Sequence, residues 1–370
     1  MLDVLSIFGT RPEAIKMALV VRELAKYPDQ IRSQVCITAQ HREMLDQVLD
    51  IFDIHPDVDL NLMRPNQSLP DLTARALTGL NNVLESISPD VVLVQGDTTT
   101  VLAGALAAFY HQIPVGHVEA GLRTRDRYNP FPEEINRRIA DLLTTFYFAP
   151  TEMAAEALRH EGMAESDIYM IGNTVIDALL WVVNRPVPEE ISNLMAEFDG
   201  QRLILVTAHR RENFGAPFEE ICLGLRELGR RNPNIAIVYP VHLNPNVQEP
   251  VRRILGGEGR VHLIEPLSYL SFAHLMNRSD IILTDSGGVQ EEAPALGKPV
   301  LVMRRETERP EAIEAGIAKL IGPDAEAIVR ETERLLYDEG AYRRMANAIS
   351  PYGDGHASER IVQILLDRFA

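Results

Sequence analysis

The chain has 370 residues, which at roughly 150 per domain gives about two domains and excludes a mini-protein that depends on staples. Hydrophobic residues make up 46% and charged residues 24%, the balance of a folding globular chain, so global disorder and fibrous classes are excluded as well. Lys and Arg total 36 against 53 for Asp and Glu, a net charge of -17; this is the wrong sign for a general nucleic-acid or anionic-membrane surface, and any anionic ligand needs a local cluster of cations.

Leu2 to Phe8 reads as a first strand. Ala14, Met17, Ala18, Val21, Leu24 and Ala25 then recur at helical spacing, with Thr10 and Glu13 placed as a capping box and Pro12 in the first turn. Val35 to Thr38, Val91 to Gln95, Pro114 to Val118 and Thr145 to Phe148 follow as strands, separated by helical stretches such as Met44 to Ile51 and Val101 to Tyr110. Such βα alternation builds a parallel sheet covered on both faces. The pattern lapses between Asn184 and Gly200, where Arg185-Pro186-Val187-Pro188 cannot continue a helix and Asp199-Gly200 marks a turn. It resumes through Leu203 to Thr207, Ile235 to Tyr239, Val261 to Ile264, Ile281 to Thr284 and Pro299 to Met303, and the last helical stretch is Glu359 to Phe369. We expect an α/β protein of two Rossmann-like doubly wound domains, residues 1–185 and 200–355. A C-terminal helix, 356–370, is expected to be able to pack back on the first domain.

The opening Met1-Leu2-Asp3 runs straight into a strand with no basic segment before it, and the longest apolar run, Val101 to Tyr110, is about half a membrane span. A cytoplasmic protein without a membrane or nucleic-acid partner is expected. The two cysteines, Cys36 and Cys222, lie in apolar stretches without CxxC or Cys/His spacing and read as buried free thiols.

The chemistry gathers where strands end. Asp285-Ser286-Gly287-Gly288 lies at a strand-to-helix turn, where backbone N–H groups and the helix dipole favour a phosphate; Glu292, a turn further on, could pair with ribose hydroxyls. The bland alternative is an ordinary Gly-rich turn with Ser286 or Asp285 as N-cap. Nearby Arg304, Arg305 and Arg309 favour phosphate. His209-Arg210-Arg211-Glu212-Asn213 has no second His at zinc-site spacing, so a metal is rejected and a phosphate role preferred over a solvated loop. Asp57-Val58-Asp59 reads as acidity at a strand edge and Gly256-Gly257-Glu258-Gly259 as a turn. Asp97, Glu119 and Glu133 are the acid/base candidates, since each ends a strand or opens a helix. The bland alternatives are an N-cap for Asp97 and, for Glu133, a first-turn residue paired with Arg137; Glu119 has no ready structural explanation. Both halves therefore put an Arg-bearing loop and an Asp-hydroxyl loop at carboxyl ends of parallel strands, which suggests two faces across a cleft with substrate between them.

Taken together, these strings resemble the non-hydrolysing UDP-N-acetylglucosamine 2-epimerases of bacteria. The matching stretches are Phe8 to Lys16, Thr38 to Arg42, Gln95 to Thr100, His117 to Arg123, Pro132 to Glu134, His209 to Glu212, Tyr239 to Pro245, Thr284 to Gly288 and Glu308 to Glu311. They run in order over nearly the whole chain. The resemblance implies a GT-B type fold in which the C-terminal domain holds UDP and the N-terminal domain faces the sugar. It implies that Arg11, His209, Ser286, Gly287, Gly288, Glu292 and Arg309 hold the diphosphate and ribose, with uracil near Leu267 and Phe272. Lys16, Asp97, Glu119, Glu133 and His209 would face the sugar and its chemistry. It also implies a homodimer, and a second UDP-N-acetylglucosamine acting as allosteric activator at Gln40, Glu43, Arg210 and His242. The segment Thr124 to Phe131 departs from the family, with extra Arg residues and Phe131 where Trp is commoner.

The reaction so implied is reversible C2 epimerisation to UDP-N-acetylmannosamine by anti elimination of UDP through 2-acetamidoglucal and re-addition, with no cofactor or metal. A hydrolysing epimerase releasing N-acetylmannosamine and UDP, and a glycosyltransferase on the same fold, are the rival enzymes. A nucleotide-sugar sensor would keep the Ser286-Gly287-Gly288 loop but needs no facing carboxylates.

Overall fold

The computed structural model describes residues 1–39, 42–64 and 67–370, the side chains of Arg42 and Glu43 excepted. By contacts the chain divides into two units, Met1–Ala178 with Tyr352–Ala370, and Leu179–Pro351.

The first unit is built on β1 (Leu2–Phe8), β2 (Ile31–Ile37), β3 (Val58–Asp59), β4 (Val91–Gln95), β5 (Val115–Val118), β6 (Phe146–Ala149) and β7 (Ile168–Met170). Among the described residues these form a seven-stranded sheet in the order β3-β2-β1-β4-β5-β6-β7. Every pairing is parallel. Helices cover both faces, so β4 is buried along its whole length and reads as an unbroken apolar run with one terminal Gln. Leu5, Ile7, Val92, Val94 and Val115 pack with Leu72, Leu80 and Val101 into its core.

The second unit carries β8 (Arg202–Thr207), β9 (Ile235–Pro240), β10 (Val261–Ile264), β11 (Ile281–Thr284), β12 (Val300–Val302) and β13 (Ala318–Leu320) in the order β10-β9-β8-β11-β12-β13, again parallel throughout. Ile204, Val206, Ile237 and Leu283 pack against Phe218, Leu225, Val251 and Ile328. In both sheets the strand order reverses beside the first strand. The carboxyl ends of β1 and β4, and of β8 and β11, therefore flank the topological switch points where open α/β sheets take ligands.

The division between units falls inside the helix Thr174–Val183, ahead of the lapse at 184–200. Its Val175, Ile176, Ala178, Leu179 and Val182 are all buried, so the apolar pattern runs through the division without a break. The return to the first unit begins at Tyr352, before the expected 356, because the buried Tyr352 carbonyl accepts the Asn173 N–H at 2.7 Å. From there the helix Ala357–Arg368 packs on the helix Arg11–Leu24. The Ser358 N–H donates to Asp177 Oδ1 at 2.7 Å.

Cys36 and Cys222 are buried free thiols whose pKa burial pushes up to about 12. No helix among the described residues is long and apolar enough to cross a membrane. At the β3 edge Asp57 accepts the N–H of Val35 on β2 and Asp59 that of nearby Asn61.

Candidate active site

At the carboxyl edge of the first sheet, β1 runs into Thr10 and the helix Arg11–Leu24. Glu13 binds the N–H groups of Gly9 and Thr10 at 2.9 and 2.6 Å, and Thr98 donates to its other oxygen at 2.5 Å. Burial raises the pKa of Glu13 although these donors oppose it. Thus Glu13 joins the loops after β1 and β4 and fixes where Arg11 and Lys16 leave the helix. Arg11 is half-buried at the first helical position.

Lys16 Nζ lies 2.5 and 2.6 Å from the two oxygens of Glu119. Glu119 follows β5 with φ at 70°, a left-handed conformation that a non-glycine residue adopts only when its surroundings dictate it. Its carboxylate also accepts from Gln95 Nε2 at 2.5 Å and Asn173 Nδ2 at 3.3 Å. The carboxylate is therefore oriented by four donor contacts and stands beside the next loop, 3.8 Å from where a Cβ on Gly96 would lie. Gln95 and Asn173 were not legible as site residues: one ends a buried strand and the other sits in a short loop.

Asp97 caps no helix; Thr98 takes the N-cap position of the helix Thr99–Tyr110. The Asp97 carboxylate pairs with Arg137 at 2.5 Å, and its carbonyl accepts from Asn136 Nδ2 at 3.0 Å. Both partners lie on the helix Glu133–Leu143. This removes the local pairing expected for Glu133, because Arg137 turns to Asp97 and to Glu134, the latter at 3.4 Å. Glu133 is half-buried in the first turn. Its neighbour Glu134 is fully buried and accepts the N–H groups of Thr124 and Arg125 at 3.0 and 3.2 Å, anchoring the segment that follows Arg123.

In the second unit the organising group is Asp285, which is fully buried. It accepts the N–H groups of His209 and Arg210 at 2.9 and 2.8 Å and Asn213 Nδ2 at 3.1 Å. Asn213 also donates to the Met303 carbonyl at 3.2 Å, so one carboxylate gathers the loops after β8, β11 and β12. Asp285 is thus not the N-cap. Ser286 holds that position, its own N–H on Thr284 Oγ1 at 2.9 Å and its side chain making no cap bond. Arg210 Nη2 comes within 3.4 Å of the place a Gly287 Cβ would occupy, which puts a guanidinium at a helix N-terminus.

Glu292 is buried, with Tyr269 donating to it at 3.0 Å. Leu267 and Phe272 are half-buried around the start of the helix Tyr269–Arg278, after β10. Two of the three cations expected to serve a phosphate are engaged within the protein: Arg304 with Glu212 at 2.5 Å and Arg309 with the buried Glu291. Arg309 is further fixed by its N–H on Thr307, whose hydroxyl binds Gln290 at 2.6 Å.

His209 stacks on His242 with ring centres 5.3 Å apart and planes 16° from parallel. Burial lowers the pKa of His209, with Arg210 and His242 adding to the effect and Asp285 opposing it. That shift favours the neutral form of His209. His242 is exposed, and its Nδ1 accepts the Asn244 N–H at 3.1 Å. Gln40 and the side chain of Glu43 lie outside the described residues. Among those described, no group of three or more His, Cys, Asp or Glu is placed to hold a metal ion.

Comparison with known proteins agrees with the resemblance at the level of family. A family profile described as UDP-N-acetylglucosamine 2-epimerase matches residues 22–366. Among curated relatives, UDP-N-acetylglucosamine 2-epimerase of Yersinia pestis is 55% identical over 370 residues, 98% of each chain. That of Escherichia coli K12 is 56% identical with the same coverage. The crystal structure of the Neisseria meningitidis UDP-GlcNAc 2-epimerase bound to UDP-GlcNAc is 50% identical, covers 99% of this chain and 100% of its own, and superposes with a TM-score of 0.88. The Methanocaldococcus jannaschii UDP-GlcNAc 2-epimerase in complex with UDP-GlcNAc and UDP is 35% identical over 98% of this chain, with a TM-score of 0.79.

Proposed function

The chain belongs to the UDP-N-acetylglucosamine 2-epimerase family, and from that premise we propose that it interconverts UDP-N-acetylglucosamine and UDP-N-acetylmannosamine without hydrolysis. The observation that carries this reading is the division of labour between the two sheet edges. The first holds oriented carboxylates, Glu119 among Lys16, Gln95 and Asn173 and Asp97 on Arg137. The second holds an uncapped helix start at Gly287 and Gly288 with Arg210 beside it.

The C2 hydrogen of the sugar has no carbonyl beside it, so its direct removal faces a very large barrier. If the C1–O bond to UDP breaks first, the developing oxocarbenium ion acidifies that hydrogen. A carboxylate then takes it, leaving 2-acetamidoglucal and UDP. Return of a proton to the other face of C2, with UDP re-adding at C1, gives the epimer; no electrons are exchanged and no water is consumed. Asp97, Glu119 and Glu133 share the two proton transfers. The leaving diphosphate is taken by the backbone N–H groups of Gly287 and Gly288, the Ser286 hydroxyl, Arg11 and Arg309, with Glu292 on the ribose and Leu267 and Phe272 beside uracil. His209, in its neutral form, offers one N–H and one lone pair to the reacting groups.

The same reading includes a homodimer and a second sugar nucleotide acting as activator at Gln40, Glu43, Arg210 and His242. The stack of His242 on His209 supports a link between that molecule and the diphosphate loop.

The test replaces Asp97 with Asn, and Glu119 and Glu133 each with Gln, and follows exchange of the C2 hydrogen by NMR. Each replacement should slow exchange by about 10²–10⁴-fold, the range for a lost general acid or base. UDP affinity should stay within about threefold, because the lost interaction is one made in the transition state. Unchanged exchange in all three variants would overturn the assignment.

A further inference from the structure

The first unit contains a buried charged network that the proposed mechanism does not use. His117, on β5, and Asp141, on the helix Glu133–Leu143, are both fully buried. His117 Nδ1 is 2.6 Å from Asp141 Oδ1, and His117 Nε2 is 2.7 Å from the Gly96 carbonyl. The carbonyl only accepts, and so does Asp141, which Arg123 at 2.7 Å from its other oxygen keeps ionised. A neutral imidazole carries one N–H, so one of these contacts would set lone pair against lone pair; both close only if each nitrogen is protonated. The second Asp141 oxygen receives Arg123 Nη2 at 2.7 Å and the Gly121 N–H at 3.3 Å. Arg123 in turn reaches Glu161 at 2.7 Å.

The bridge has a definite geometry. The Gly96 carbonyl immediately precedes Asp97. Gly121 and Arg123 lie two and four residues beyond Glu119. The helix that supplies Asp141 begins at Glu133, and its Asn136 and Arg137 already hold the Asp97 carbonyl and carboxylate. One histidine–carboxylate pair thus joins the loops carrying Asp97 and Glu119 to the helix carrying Glu133.

We infer that His117 is a positioning residue that acts as an imidazolium at neutral pH, locking the Gly96–Asp97 turn and the Glu119–Arg123 turn to the helix that begins at Glu133. Its relevance to turnover rests on the reading of Asp97, Glu119 and Glu133 as the acid/base groups. The charges around the ring agree with this state. Burial pulls the His117 pKa down, but the charge and hydrogen bond of Asp141, helped by the Gly96 carbonyl, outweigh burial and the opposing Arg123, and the net direction is up. Asp141 is held below its ordinary value: burial raises it, and His117 and Arg123 more than reverse that. Tyr147, on the adjacent β6, also faces Asp141, but its phenol is pushed to about 12, first by burial, and stays neutral.

The deciding experiment is a long-range proton–nitrogen NMR spectrum of the full-length protein labelled at histidine, with His117 assigned by the loss of its signals in His117→Gln. Two protonated ring nitrogens at pH 7.5, persisting well above the ordinary histidine range, are expected; a bare ring nitrogen at that pH overturns the inference. Kinetics supply the second arm. In His117→Gln, kcat should fall about 10–100-fold, as expected when catalytic groups are displaced, while KM changes little. Asp141→Asn removes the charge that holds the proton, so the alkaline limb of its kcat profile should move to lower pH. A purely structural role would lower the melting temperature without moving that limb, and an unmoved limb counts against the inference. If the protein does not turn over the sugar nucleotide at all, the functional reading fails while the ring nitrogens still decide the charge of His117. Should His117→Gln not fold, assignment through Asp141→Asn leaves the wild-type spectrum decisive.

Discussion

His117 and His209 stand near the carboxyl edges of their respective sheets, and burial pulls the pKa of each downward, yet the net shifts run in opposite directions, up for His117 and down for His209. His117 points both nitrogens at acceptors, one of them a carboxylate at 2.6 Å. His209 gives Asp285 its backbone N–H, while its ring nitrogen stays 3.9 Å from that carboxylate and its ring lies against a second imidazole. The lesson is that partner geometry decides the direction of the shift where burial alone does not. It also separates the two edges by purpose. In the first unit, charged side chains hold one another and thereby fix the carboxylates; in the second, one buried carboxylate organises backbone N–H groups and leaves a helix start open.

The largest effect that would break this contrast is a pair of glycine substitutions. Gly121 has φ at 89°, and a Cβ there would lie 2.3 Å from the Ala154 carbonyl oxygen, behind the Glu119 turn. Gly121→Ala should cost about 2–4 kcal/mol of stability, combining overpacking with backbone strain, and calorimetric melting would show it as a lowered Tm. At Gly287 the added Cβ meets only Arg210 Nη2, at 3.4 Å. Gly287→Ala should leave stability within about 0.5 kcal/mol, as a substitution clear of such clashes does. It should weaken UDP about tenfold by crowding the helix start, about 1.4 kcal/mol in a binding titration. Equal effects of the two on stability would erase the distinction between the edges.

The histidines themselves sharpen it through pH. The folded pKa of His117 is raised above its unfolded value, so its stabilisation is complete below about pH 6.5 and is lost as pH rises through the raised value. That of His209 is lowered, so below about pH 6.5 the unfolded chain binds a proton the folded chain refuses, and stability falls as pH drops. Denaturant titrations across pH should show His117→Gln flattening the alkaline loss and His209→Asn flattening the acid loss. The reverse assignment would refute the comparison. The smallest effect concerns Arg309, which pairs with Glu291 through Nε. Arg309→Lys keeps the charge but loses that directed donor and should cost about 0.5–1 kcal/mol, measured by the same titration.

Much of the fold was legible because parallel strands covered on both faces leave unbroken apolar runs. β1, β4, β10 and β11 start and end where the sequence pattern places them. β7 and β13 were not read as strands, and β3 only as a strand edge, since two or three residues at the end of a sheet carry no periodicity. At the site, loops with Gly beside Asp or Ser at strand ends announced themselves, as Asp285 to Gly288 shows. What stayed hidden was pairing at a distance. Arg304 and Arg309 stood out as cations for a phosphate, but their acidic partners Glu212 and Glu291 did not, and Arg137, weighed as a local partner for Glu133, holds Asp97. Asn173 meets Glu119 across 54 positions of sequence, a contact that only the fold creates.

The most direct test of the central claim is proton NMR of the wild-type protein with UDP-N-acetylglucosamine in deuterated water, following C2, the anomeric signals and free UDP together. Elimination and re-addition predicts deuterium at C2 as UDP-N-acetylmannosamine appears, with UDP remaining attached to sugar at equilibrium. Free N-acetylmannosamine with stoichiometric UDP, or binding without any exchange at C2, would contradict it.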